Sequence, residues 1–164
     1  MALLKIVSYP ASVLATVGAP VERFDETLEK LVSDMFETMY AAHGVGLAAP
    51  QVGLSLQLFV MDCEGVKIVA ANPTIVSAEG EQNGDEACLS LASIGAPLRR
   101  PDRVLLRAED AGGRAFETEG TGLVARCLMH ETDHCNGRLF IDHLSPLKRD
   151  MVKRKFRKVI KRER

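Results

Sequence analysis

The chain has 164 residues, 46% hydrophobic and 26% charged, with a net charge of −1. That length suits one domain, residues 1–164, with a real core, and the composition is ordinary for a globular protein. No run approaches the ~20 apolar residues of a membrane span, and the segment Met1–Pro10 lacks an apolar stretch followed by a cleavage site, so a cytoplasmic location is expected.

Asp25 can cap a helix running to about Ala42, in which Leu28, Leu31, Val32, Met35, Phe36 and Met39 recur at the helical period. An extended middle follows. Gln57–Met61 and Val66–Ala70 form a strand pair across Cys63-Glu64-Gly65, and Arg103–Arg107 with Arg114–Thr118 bracket a second hairpin at Asp110–Gly113. Leu123, Cys127 and Leu128 then lead into a helix from about Thr121 to Asn136, with Asn136-Gly137 suited to a left-handed cap. Ser145-Pro146 opens a final helix with Val152, Phe156, Val159 and Ile160 on one side. Helix, strands, helix, helix is an α+β order.

The helix before Gly137 carries His130-Glu131-Thr132-Asp133-His134. Residues four apart share a helix face, so two imidazoles there can bind one metal ion, and the adjacent carboxylate can act on water beside it. The bland alternative is an exposed polar helix. It fits poorly with a histidine pair that continues an apolar stripe, because such a pair faces inward.

Catalytic sites of this kind take a third protein ligand and keep one position open. The extended pattern H-E-x-x-H-x-x-G is shared with metzincin peptidases, whose next ligand would fall at Phe140, which cannot bind zinc. Asp142 and His143 sit close to the helix end, and Asp150 and Glu163 lie in a basic tail. An upstream residue is therefore the better candidate. Cys63, Cys88, Cys127 and Cys135 include no C-x-x-C pair, which argues against a closed structural zinc site. Cys127 could share the face of His130 or be a small buried apolar residue. Cys135 points away from His134, and Cys63 ends an apolar strand. Cys88 lies in a polar stretch without regular periodicity, Asp85–Ser90.

Three segments together resemble the peptide deformylase family. They are Gly44-Val45-Gly46-Leu47-Ala48-Ala49-Pro50-Gln51, then Glu86-Ala87-Cys88-Leu89-Ser90, then His130–His134. The resemblance covers essentially the whole chain. It implies antiparallel β-sheets packed around a central metal-binding helix, with an N-terminal and a C-terminal helix. It implies one divalent ion on Cys88, His130 and His134, with Fe(2+) native and Zn(2+), Ni(2+) or Co(2+) able to replace it. Glu131 would be the general base, and the Gln51 side chain and Leu89 N–H would hold the oxyanion. Gly44, Val45, Gly46, Glu86, Leu123 and Cys127 would line the substrate site. The substrates would be N-formylmethionyl nascent peptides, which lose formate. Asp133 would orient the ligand shell by a hydrogen bond, or be an exposed helix acid.

Four departures stand out: Ala87 replaces a usual glycine, Ala92 a proline and Met129 a glutamine, and the arginine expected near Gly95 is absent. They leave the ligands and base intact and bear on the wall that faces substrate. A paralogue with altered substrate, or a metallopeptidase, is the alternative.

Charge is uneven. Residues 148–164 hold ten basic and two acidic side chains, and the remainder holds eleven basic and twenty acidic. This tail can be a solvated helix face, an RNA-binding helix or a membrane-surface helix. The resemblance favours docking on the ribosome, with contacts to phosphates because Phe156 is the only aromatic residue among the charges. No role in binding DNA is expected.

Overall fold

The computed structural model describes residues 2–163. Asp25 caps α1 (Glu26–Ala41), its Oδ1 accepting from the Leu28 N–H at 3.1 Å. The strands are β1 (Gly46–Ala48), β2 (Leu58–Cys63), β3 (Val66–Glu79), β4 (Asp85–Ala87), β5 (Gly95–Pro97), β6 (Arg103–Glu109) and β7 (Ala115–Thr121). Then come α2 (Gly122–Cys135) and α3 (Pro146–Glu163). Strands β1, β2, β3, β6 and β7 lie side by side in that order in an antiparallel sheet, and β4 pairs with β5 apart from it. The α+β arrangement around the His130–His134 helix is as the sequence implied.

The β2–β3 connection is a two-residue loop in which Glu64 and Gly65 take φ of 48° and 82°. That geometry matches the strand twist. The second strand of the pair runs on to Glu79 instead of stopping near Ala70. Asn72-Pro73 breaks the alternation, but the chain absorbs the break as register shifts and resumes pairing with β6. Asn72, at φ 53°, accepts from the Val21 N–H and donates to the Val21 carbonyl and to Glu109.

Strand β2 is buried on both faces. Phe59 and Met61 pack with Val104, Leu106, Ala125 and Leu128, so α2 lies on that face of the sheet. Leu58 and Val60 pack with Met35, Met39 and Leu47 under α1. A third cluster joins Leu14, Leu91, Phe140, Ile141, Val152 and Phe156 around Cys88. Helix α3 is thus anchored by two residues four apart, directly behind the segment that carries Cys88.

Leu128 is fully buried between α2 and the sheet. Leu128→Ala is expected to lower unfolding stability by about 2–5 kcal/mol in urea denaturation. A loss under ~1 kcal/mol would show that α2 does not rest on the sheet through this residue.

Candidate metal centre

Helix α2 presents His130 and His134 one turn apart, both buried. It ends where expected, Gly137 taking the left-handed conformation at φ 74°. The third donor is brought in by the short β4–β5 ribbon. Cys88 follows Ala87, which pairs with Gly95, and the Cys88 carbonyl accepts from the Leu91 and Ser93 N–H groups. Ala92 and Ser93 both sit at positive φ, 53° and 57°. Two consecutive non-glycine residues there are uncommon and strained. They close the turn that aims the thiol inward.

His134 Nε2 lies 3.2 Å from His130 Nε2 and 3.3 Å from Cys88 Sγ. The three donor atoms all lie within 4.8 Å of one another. Nitrogen and sulfur ligands on one tetrahedral ion stand roughly 3.3–3.6 Å apart, given bond lengths of about 2.0–2.3 Å. The spacing therefore suits a shared cation.

The electrostatics point the same way. Glu86 is 5% exposed and its carboxyl sits at about 2. Burial opposes ionisation, but hydrogen bonds from His130 and Arg100 outweigh it. An ionised Glu86 can only accept, so the 2.7 Å contact fixes His130 Nδ1 as the donor and turns Nε2 toward the other two donors. Burial would lower His130, but bonding to Cys88 and Glu86 holds it well above its usual value. Burial, reinforced by His130, pushes His134 well below. One thiol and two imidazoles at ligand spacing are a donor set that fits a divalent ion.

Glu131 follows the first histidine and is 4% exposed. Burial chiefly, with the Glu86 and Asp133 charges adding and His130 opposing, pushes its carboxyl up to about 7. Its Oε1 has no protein partner. Gly46 is glycine for a steric reason, since a Cβ there would stand 2.5 Å from Glu131 Oε2. The turn after α1 takes its left-handed residue at His43, φ 58°, while the Gly44 N–H caps the helix by donating to the Met39 carbonyl. Gln51 is 2% exposed, not a surface amide. Its Oε1 accepts from the Ala48 N–H, which aims Nε2 at Cys88 Sγ (3.6 Å) and Ser90 Oγ (3.3 Å).

A cavity of about 270 Å³ opens onto this cluster. Gly44, Val45, Gly46, Gln51, Glu86, Cys88, Leu89, Leu123, Cys127, His130 and Glu131 all line it, whereas His134 lies behind. Val45 and Leu123 stand at its rim, each 46% exposed. Glu86 shares the lining, but both its oxygens are engaged by protein donors. Cys63 and Cys135 are buried core residues. Phe140 is a buried core residue, its ring stacked 6.2 Å from that of His130. Asp142 accepts from the Leu139 N–H, and His143 pairs with Asp133.

Asp133 touches no ligand directly. It accepts from Arg100 Nη1 at 2.9 Å, and Arg100 reaches Glu86 through Nε and Nη2. Arg100 and Arg126 are the residues that sequence reasoning missed. A signal existed for Arg126, a charge inside the apolar stretch Val124–Leu128 and one turn before His130.

The Polypeptide deformylase family model matches residues 3–150. A peptide deformylase of Acinetobacter baumannii is 47% identical over all of this chain and 96% of its own length. The crystal structure of a peptide deformylase from Legionella pneumophila is 48% identical, with a TM-score of 0.95 over 99% of this chain and 98% of that one. A peptide deformylase from Ehrlichia chaffeensis in complex with actinonin is 38% identical, with a TM-score of 0.93 over 100% and 99%. The chain belongs to the polypeptide deformylase family, metal-dependent hydrolases that remove the formyl group from newly made peptides.

Proposed function

We propose that Cys88, His130 and His134 hold one divalent ion, iron(II) in the native enzyme, and that Glu131, Gln51 and Leu89 act on the formyl group of formyl-methionine. Residues 1–164 would work as one catalytic domain, in the cytoplasm where new chains emerge. The observation that carries this reading is the convergence of thiol and imidazoles beside Glu131, on a cavity large enough for one side chain. Thiolate with two imidazoles suits iron(II), zinc, nickel or cobalt. A bound ion would supply Lewis acidity and lower the pKa of water toward ~7.

The protein's own groups do the rest. Glu131 takes the proton of the attacking water and returns it to the leaving amine. Its Oε1, free of protein partners, is available for that transfer, and the missing Gly46 side chain leaves room for Oε2. The Gln51 amide, locked by Ala48, donates from Nε2 to the developing oxyanion, and the Leu89 N–H donates beside it. Each such donor is worth about 10²–10³ in rate. Gly44, Val45 and Gly46 form one wall for the substrate chain, and Leu123 and Cys127 form the helix side.

Helix α3 turns Val152 and Phe156 inward and leaves Arg154, Lys155, Arg157, Lys158, Lys161 and Arg162 exposed. We assign it to phosphate contacts on ribosomal RNA, since charge without stacking residues suits backbone binding. No helix among the described residues is long and apolar enough to cross a membrane.

The test is anaerobic purification with metal analysis, followed by formate release from formyl-Met-Ala-Ser. Glu131→Gln is expected to keep metal and lose turnover; near-normal turnover would overturn its role. Ionised Glu131 is the base, so activity must fall as pH drops through its pKa. A bound cation favours the ionised form, which puts the acid limb of kcat/KM at or below about 7. A rate that rises on acidification contradicts this. Reversing Lys155, Lys158 and Arg162 to glutamate is expected to abolish salt-sensitive cosedimentation with ribosomes while formate release from the tripeptide persists. Unchanged cosedimentation would leave the helix a solvated face.

A further inference from the structure

Arg126 lines the same cavity and is only 5% exposed. Its Nη1 donates to Glu86 Oε1 at 3.0 Å, and its Nη2 is buried with no partner. A buried guanidinium N–H left unpaired is costly, and natural interiors rarely tolerate one without a purpose. Its neighbour at position 84 is glycine, where a Cβ would stand 3.3 Å from Nη2. The space that a side chain would occupy is given to the arginine head.

The two guanidinium charges are already matched. Glu86 and Asp133 face Arg100 and Arg126, two carboxylates against two guanidinium groups. What is missing is an acceptor, not an anion. An anionic ligand would also meet Glu131, which lines the cavity and carries negative charge when ionised. Arg126 lines the cavity and its side chain has several rotatable bonds, so its head can offer an N–H to a ligand there.

We propose that Arg126 is a specificity-determining residue, which makes this pocket favour a first residue whose unbranched side chain ends in a neutral oxygen acceptor, such as methionine sulfoxide or glutamine. This rests on the deformylase reading of the site. The sulfoxide oxygen and the glutamine carbonyl both branch from the δ atom of a chain of methionine length. Thioether sulfur accepts only weakly, and norleucine does not accept at all.

The experiment compares formyl-Met(O)-Ala-Ser, formyl-Gln-Ala-Ser, formyl-Glu-Ala-Ser and formyl-norleucyl-Ala-Ser on the metal-loaded wild type and on Arg126→Met. In the wild type, kcat/KM for the sulfoxide and glutamine peptides is expected to exceed that for norleucine by about tenfold or more, with glutamate below glutamine. In Arg126→Met the preference reverses toward norleucine. Equal or better use of norleucine by the wild type overturns the proposal, even if the variant does not fold. So does a ratio that survives the substitution. The dissociation constants of the unformylated tripeptides, read by calorimetry, follow the same order. If formyl-Met-Ala-Ser, run alongside, yields no formate either, the deformylase reading fails. The calorimetric order then still decides the role of Arg126, and equal affinities refute it.

Discussion

One buried carboxylate organises the centre. Glu86 accepts from Arg100 twice, from Arg126 once and from His130 Nδ1. Four donors on two oxygens make ionisation favourable despite burial. That charge selects the tautomer of His130 and fixes its ring, and without it the Nε2 atom has no reason to face Cys88 and His134. Arg100 extends the network to Asp133, the residue before His134. The strand that carries Glu86 and the helix that carries the histidines are thus joined by paired charges. Removing one partner from such a buried set typically costs 3–5 kcal/mol, because the other charge is stranded.

Around that anchor the fold divides its labour. The five-stranded sheet supplies a rigid floor for α2. The two-stranded ribbon and the turn at Ala92 and Ser93 deliver the thiol. The edge strand β1 delivers Gly46, whose missing side chain allows Glu131 to approach, and the turn after it delivers Gln51. Helix α3 closes the back of the Cys88 segment through Val152 and Phe156 while its charged side faces solvent. Glu131, Gln51 and the Cys88 thiol come from three separate elements, so their geometry depends on packing and not on any one local motif.

Two elements show where sequence reading ran short. The second strand of the β2–β3 pair could be followed to Ala70 and no further, because Asn72 and Pro73 interrupt the alternation by which a strand is recognised. Pairing with β6 carries it on past the interruption. Asp133 likewise looked like either a ligand-orienting group or an exposed acid. It turned out to act at one remove, through an arginine 33 residues earlier. Sequence separation of that size carries no periodic signal.

Short-range sequence was enough for the helix with two histidines on one face, its capped end, the hairpins and the three resembling segments. These follow from local spacing and backbone preference, which act over a few residues. Packing was needed to show how closely Cys88 meets the histidines, why Gly46 must lack a side chain, and that Arg100 and Arg126 share one carboxylate. Those facts depend on distances between residues remote along the chain, and only the packed sheet and helices bring such residues together.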